Sequence, residues 1–401
     1  MMHKHSSPPG NPLEVLVVFT RLGLTSFGGP VAHVGYFREE LVRRRKWLDE
    51  ASFADLVALC QFLPGPASSQ MGIALGTARA GLLGGLLAWF GFTLPSALLM
   101  LGFAFGLMAW GGDGTVSWLH GFKVVAVAVV AQAVWGMAKS LTPDALRGSL
   151  AIAAAVLLLL WPTAWTQIVV LLLGAVAGWL WLKGETQPVP TAHLPIHVPL
   201  ALSWTSGLLL LAGLVLLPLL VAMTNHHALA LFTGFFRAGA LVFGGGHVVL
   251  PLLEQYVVAP GWVSRAEFIA GYGAAQAMPG PMLSFAAYLG AMSGPTPNGI
   301  LGAIIALTGM FLPSFLLIWA SLPLWTRLRS AMGAQAVLRG INAAVVGILL
   351  AALYNPVITS AINRPSDVAL ALSAFAALHL WRIPTWAVVL LAAVGGFGLG
   401  L

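Results

Sequence analysis

Two six-residue stretches, Gln61-Phe62-Leu63-Pro64-Gly65-Pro66 and Gln276-Ala277-Met278-Pro279-Gly280-Pro281, stand 215 positions apart, each inside strongly apolar sequence. Pro64 pushes Leu63 out of the helical region and Pro66 does the same to Gly65, so an incoming helix must stop before the motif. A new helix can start at once, because proline at the first helical position gives up an N–H that has no intrahelical partner anyway. Pro66 and Pro281 therefore read as the starts of second half-helices. Their free amides belong to Ala67, Ser68 and Ser69 in one copy and to Met282, Leu283 and Ser284 in the other. A helix start of this kind favours anions, and paired breaks at corresponding positions of two repeats point to the substrate site of a transporter.

The apolar setting is that of a membrane. With 59% hydrophobic and only 8% charged residues over 401 positions, the chain cannot bury its apolar surface in one water-soluble core. Its net charge of +7 is spread over loops, not over a nucleic-acid stripe, so no nucleic-acid partner is expected. One cysteine, Cys60, excludes an internal disulfide. No Cys/His cluster has metal-ligand spacing, no haem or flavin signature is present, and no phosphate-binding loop of the Gly-x-x-x-x-Gly-Lys-Ser/Thr type occurs. The sequence thus predicts no cofactor, no enzyme and no ATP coupling. The polar stretch Met1 to Pro12 lacks a convincing cleavage site after the apolar run that follows it and reads as retained.

The duplication extends beyond the proline motif. Phe27-Gly28-Gly29 pairs with Phe243-Gly244-Gly245 and Arg21 with Arg237 at an offset of 216; Trp47 pairs with Trp262 at 215, Leu94-Pro95-Ser96 with Leu312-Pro313-Ser314 at 218, and Gly121 with Gly340 at 219. The expected organisation is a first repeat over 1–183, a linker over 184–227 carrying an extra apolar segment (Leu200 to Met223), and a second repeat over 228–401. Each repeat shows four clear apolar segments, roughly 82–110, 118–140, 146–161 and 165–182, then 299–322, 337–355, 366–381 and 384–401. Two irregular ones precede them: 13–33 and 51–78 in the first repeat, 228–251 and 266–294 in the second. Asp49 caps the first proline-broken segment, and Ser264-Arg265-Ala266-Glu267 forms a capping box for the second. The fold expected is an all-α polytopic membrane protein with about thirteen membrane segments and helices broken at the Pro-Gly-Pro and Gly-Gly motifs.

Charge gives relative orientation. Lys139, Arg147 and Lys183 follow the second and fourth clear segments of the first repeat, whereas Arg327, Arg329, Arg339 and Arg382 follow the first and third of the second. Under the positive-inside rule the repeats lie in opposite orientations, with the unmatched segment supplying the odd crossing. Arg364 runs against this pattern. The cluster Arg38, Arg43, Arg44, Arg45, Lys46 is expected on the cytoplasmic side, and the path of residues 13–50 stays open.

Ionisable residues within apolar segments are site candidates, since intramembrane charge is costly. Arg21 and Arg237, beside the two Gly-Gly breaks, either anchor an anion or snorkel to the headgroups. Lys123 is a third cation, on a substrate path or at the interface. Gln61 and Gln276 either bind substrate or cross-link helices. His33 and His247, just after the Gly-Gly motifs, either relay protons or hold structure. Glu39, Glu254 and Asp55 are carboxylates that either couple protons or pair with basic neighbours. Gly28, Gly29, Gly244 and Gly245 are consecutive glycines that break a helix and expose backbone groups, unlike the many that only let helices pack closely.

Together, Phe27-Gly28-Gly29-Pro30-Val31-Ala32-His33, the Arg-rich stretch ending in Trp47-Leu48, Gln61 to Pro66, Phe243-Gly244-Gly245-Gly246-His247 and Gln276 to Pro281 resemble the chromate ion transporter family, in its long two-domain bacterial form. The resemblance covers nearly the whole chain. It implies a multi-pass inner-membrane protein that exports chromate from the cytoplasm on the proton-motive force and confers chromate resistance, with sulfate as competitor. On that reading the anion sits between the repeats, on the amides after Pro66 and Pro281 and the hydroxyls of Ser68, Ser69 and Ser284, with Arg21, Arg237 or Lys123 balancing its charge. A sulfate or other oxyanion transporter, an anion channel at the same site and a membrane-embedded oxidoreductase are the alternatives. Association into a homodimer is left open.

Overall fold

The computed structural model describes residues 10–109, 116–183, 196, 198–242, 249–325 and 332–398. Helix α1 (Pro12–Thr25), capped by Asn11, ends where Gly28 and Gly29 take positive φ values of 99° and 78°. The chain restarts as α2 (Gly29–Phe37), which runs on through a π-turn at Arg38–Arg44. Glu14, at the start of α1, pairs with Arg45 just past that turn at 3.5 Å, so α1 and α2 form a hairpin that goes in and returns. Arg45 also donates to Glu40 and holds its carboxyl below the usual range.

A second hairpin stands beside the first. Helix α3 (Glu50–Phe62) starts on Asp49, whose side chain accepts from the Ser52 amide at 2.7 Å, and stops with Leu63 extended (ψ 147°) before Pro64. Gly65 has φ 114°, a conformation that L side chains rarely adopt, which is why glycine separates the two prolines. Helix α4 (Ala67–Ala109) follows one residue after Pro66, whose carbonyl accepts its first helical bond from Gln70. Proline thus takes the capping position and not the first helical one. Ala80 and Gly81 are non-helical, so the first arm of α4 folds back on the second, with the backbones of Gly76 and Gly84 in contact. Arg79, at that bend, pairs with Glu14 at 3.0 Å, lies over the Trp47 ring and accepts at its carbonyl from Gly10. Residues 10, 14, 45, 47 and 79 are therefore one base, and the Gly-Gly and Pro-Gly-Pro breaks are tips. Arms of 13 or 14 residues reach about 20 Å, well short of a crossing.

The second half has the same element order: α9 (His227–Leu241), α10 (Val249–Val257), α11 (Arg265–Ala277) with the predicted Ser264–Glu267 capping box, a 3₁₀ turn at Met282–Ser284, and α12 (Phe285–Met292). Met278 is extended and Gly280 has φ 83°. Its base gathers His227, Trp262 and Ser293: the His227 ring meets the Ser293 hydroxyl at 2.9 Å and the Trp262 ring at 4.4 Å.

Two long helices thread both sets of hairpins. Helix α13 (Gly299–Ser321) starts with Gly302 against Gly290, near the second base, and passes the α9 tip where Met310 meets Gly239. It ends with Trp319 Nε1 3.5 Å from Thr77 and, just beyond, Trp325 donating to Asp55 at 2.9 Å, both in the first-half hairpin. With its 3₁₀ extension this element has 26 residues, about 39 Å, longer than a bilayer core. The second arm of α4 repeats the path in reverse, from Gly84 past Phe92, whose carbonyl meets Gly23, to Phe103, 5.6 Å from Tyr288.

The remaining helices interleave the halves. Helix α5 (Val116–Leu141) is clasped by α15 (Pro365–His379) and α16 (Thr385–Gly398), and α14 (Met332–Ala352) by α6 (Ala145–Leu160) and α7 (Ala164–Trp181). Gly340 lies against the Gly174 and Gly178 backbones, and Gly347 against Ala151. His120 and the fully buried Asp367 tie α5 to α15 at 2.9 Å. Helix α8 (Leu200–Thr224) runs outside the bundle on α9 and α13, with a long row of exposed leucines. Five helices are long and apolar enough to cross a bilayer among the described residues, and no strand occurs there. The chain is an all-α, multi-pass membrane protein, its exposed apolar side chains facing lipid.

Candidate anion site at the hairpin tips

The tips are cross-connected. The Gly65 amide donates to the Val242 carbonyl at the end of α9 (2.5 Å), and the Gly280 amide donates to the Ser26 carbonyl at the end of α1 (2.8 Å). Each Pro-Gly-Pro break thus hangs on the first helix of the other half. Glycine is required at 280 for space as well as φ: a Cβ there would stand 3.0 Å from the Phe92 carbonyl oxygen, 3.1 Å from that of Gly23 and 3.1 Å from Ser96 Oγ.

Polar atoms collect around these contacts. Gln70, on the first turn of α4, donates to the Pro64 carbonyl at 2.6 Å, leaving its buried Oε1 without a partner. The Oγ atoms of Ser26, Ser69 and Ser314 and Oγ1 of Thr93 are buried and unpartnered as well. His33 faces the Ser26 backbone and the Phe92 ring, 5.3 Å away, yet neither of its ring nitrogens completes a hydrogen bond. Such groups each cost on the order of 1–3 kcal/mol when left unmet in a dry interior. Ser69 and Gln70 stand on the first turn after Pro66, Ser26 and His33 flank the α1 tip, and Thr93 and Ser314 lie within the two long helices.

The structure places the sequence candidates unequally. Ser68, Ser69 and Ser284 are buried on the turns after Pro66 and Pro281. Gly28 and Gly29 form the α1 tip; Gly244, Gly245 and His247 lie outside the described residues. Gln276 is half-buried with Nε2 2.9 Å from Met282 Sδ, whereas Gln61 is exposed. Arg21 sits on the exposed face of α1, where its charge acts on Glu40, and Arg237 is half-buried over the Tyr256 ring at 5.8 Å. Neither arginine is among the tip contacts. Lys123 follows Phe122, which lines an apolar cavity of about 440 Å³ bounded also by Phe27, Met278 and Pro279. Asp55 is buried beneath Trp325. Glu39 and Glu254 pair with Arg43 (3.3 Å) and Arg265 (2.8 Å).

Ser26, Gln70, Ser96 and Ser314 were not singled out by sequence reading. Ser96 and Ser314 carried a signal: a serine duplicated after a proline in both long apolar helices. Gln70 and Ser26 carried none, since what a polar residue near a break faces is decided only when the tip folds.

Residues 13–179 and 229–397 each match the family model described as Chromate transporter. The chain belongs to the chromate transporter family. It is 30% identical over 406 aligned residues to the chromate transport protein of Pseudomonas aeruginosa, covering 97% of this chain and 92% of that one. It is 27% identical to the chromate transport protein of Cupriavidus metallidurans, covering 87% of this chain and 83% of that one. No solved structure matches.

Proposed function

We propose that this chain exports chromate, a tetrahedral dianion, from the bacterial cytoplasm through the inner membrane on the proton-motive force, conferring chromate resistance, with sulfate as the competing ion. The observation that carries this reading is the pair of crossed tip bonds, Gly65 to Val242 and Gly280 to Ser26, which tie each Pro-Gly-Pro break to the first helix of the other half, with Ser68, Ser69 and Ser284 buried on the turns that follow. Each helix start contributes up to about 2 kcal/mol toward an anion when partly buried, too little alone for a dianion. Arg21, Arg237 or Lys123 supplies the remaining charge as the ion enters. Asp55 and His33, both buried beside the hairpins, are the proton-carrying groups of this scheme.

In the membrane the repeats, 1–183 and 228–401, have opposite orientations, and the thirteen segments divide into four that dip and return and nine that cross. The hairpins α1–α2, α3 with the first arm of α4, α9–α10 and α11–α12 dip. The second arm of α4, helices α5 to α8 and α13 to α16 cross. The end-to-end run of α13 between the two bases supports this, and on this path Lys139, Arg147 and Lys183 fall on the side of the Arg38–Lys46 cluster, as the positive-inside rule requires. The test is purified protein in proteoliposomes: chromate flux that follows an imposed pH gradient and falls with added sulfate is expected. Flux set by membrane voltage alone would make the chain a channel, and no flux would end the transport reading.

A further inference from the structure

The two halves share their main helix contacts, and one large difference lies at the proline-broken hairpins. Helix α11 is seated on α5 and α16, while α3, its repeat counterpart, makes no comparable contact with α14 or α7 among the described residues. Burial follows. On α11 the stripe Ile269, Gly273, Gln276 is buried or half-buried, and Gly273 comes so close to α5 that a Cβ would stand 2.5 Å from the Phe122 carbonyl oxygen. The matching stripe on α3, at an offset of 215, is Ala54, Ala58, Gln61, of which Ala54 and Gln61 are exposed. The opposite face of α3 is filled: Phe53, Leu56 and Leu59 are buried, and Phe62 and Asp55 meet Trp325.

Resting on the transport reading above, we infer that this structure is one of two states, open on the side of the first-half base, and that the Ala54–Ala58–Gln61 face of α3 is a gate that closes onto α14 and α7 in the other. Three observations meet here. The seat is already built for the partner helix: α14 is clasped by α6 and α7 as α5 is by α15 and α16, and Ile341 on α14 corresponds to Phe122 on α5 at the offset of 219 that pairs Gly121 with Gly340. Gln61 lies one turn from a tip that stops short of a full crossing. An amide at that depth facing lipid would have no hydrogen-bond partner, so its exposure marks a water-filled vestibule. That vestibule opens toward the first-half base, where Arg38, Arg43, Arg44 and Arg45 are paired with Glu50, Glu39, Glu40 and Glu14. Meanwhile α11 closes the opposite side with Gly273. The sequence also says why this state is the one observed: α11 seals through a glycine, whereas α3 carries the methyl of Ala58 at the same place, which holds the mirror-image closure further apart.

The experiment uses full-length protein with Cys60→Ala, which removes the one cysteine, in proteoliposomes. Ala58→Cys with Ile341→Cys reports closure, because a disulfide needs Cα atoms within about 7 Å. With catalytic oxidant, cross-linking is expected to rise during chromate turnover, to lower flux at least tenfold and to be reversed by reductant. Single-cysteine variants at Ala54 and Ile269 read the two faces with a membrane-impermeant maleimide: turnover should protect Ala54→Cys and expose Ile269→Cys. Ala58→Gly, tested by the protection of Ala54→Cys in the same chain, should increase the closed population. Absence of the cross-link in protein that carries flux overturns the inference, and so does a cross-link that leaves flux unchanged. If wild-type protein carries no flux, the transport reading fails by itself, and labelling at Ala54 and Ile269 still reports whether two reciprocal states exist.

Discussion

Gly280→Ala and Gly29→Ala place the same methyl on the same kind of backbone in different surroundings, and the difference isolates what the tip contact contributes. Gly29 has φ 78° and nothing within 4 Å of its would-be Cβ, so alanine there meets only left-handed strain, about 1–2 kcal/mol. Gly280 has φ 83° and carries the same strain, but its Cβ meets two backbone carbonyl oxygens and Ser96 Oγ at 3.0–3.1 Å. Backbone carbonyls in packed helices cannot swing aside, so overpacking adds about 1–3 kcal/mol. At the unfolding entropy typical of folded chains, 401 residues give about 1 °C of midpoint per kcal/mol. Thermal unfolding in detergent should then fall by about 1–2 °C for Gly29→Ala and about 2–5 °C for Gly280→Ala. Function should separate them further, since relieving the crowding moves the tip off Ser26 and with it the amides after Pro281. Chromate flux is expected to drop at least tenfold for Gly280→Ala and only a few-fold for Gly29→Ala. Equal midpoints, or Gly280→Ala protein transporting at the wild-type rate, would refute the claim that the crossed tip bond organises the site.

Arg21→Gln and Arg237→Gln, each checked for expression, should weaken chromate flux in proteoliposomes, and unchanged flux in both removes these arginines from the mechanism. Gly340→Leu drives a side chain into the Gly174 and Gly178 backbones and should cost several kcal/mol by thermal unfolding, while Gly136→Leu, with open space around it, should stay within about 1 kcal/mol. Ser96→Ala and Ser314→Ala leave the fold intact in circular dichroism but should raise the chromate concentration needed for half-maximal flux; no change in either would exclude both hydroxyls from the site. Breaking the base pair with Glu14→Gln and Arg79→Met should show a coupling of about 1 kcal/mol in a double-mutant cycle of thermal stability, since both side chains are only partly exposed.

Much of the fold was legible in the sequence because its causes are local. Proline removes an N–H and restricts its predecessor, so Leu63 and Met278 are extended where the motif said a helix would stop. The capping residues Asp49 and Ser264 sit where side-chain oxygens reach free amides. The eight clear apolar segments are helices within a few residues of the expected bounds, because an apolar run of that length satisfies its backbone groups within itself. The duplicated element order followed from the duplicated motifs, which the two family matches at 13–179 and 229–397 reflect.

What only the tertiary structure decided is which distant residues meet. Nothing local says that 13-residue arms return to their own base, which the Glu14 contacts to Arg45 and Arg79 fix. The bonding of Gly65 to Val242 and of Gly280 to Ser26, the clasp of α6 and α7 on α14, and the pairing of His120 with Asp367 join positions roughly 160 to 260 residues apart. Equal sequences at Gln61 and Gln276 also ended in unequal places, one exposed and one half-buried. A motif fixes the backbone around itself through sterics and unmet hydrogen bonds. What it faces depends on how glycine-lined helix surfaces pack across the whole chain, and that packing can differ between two copies of the same motif.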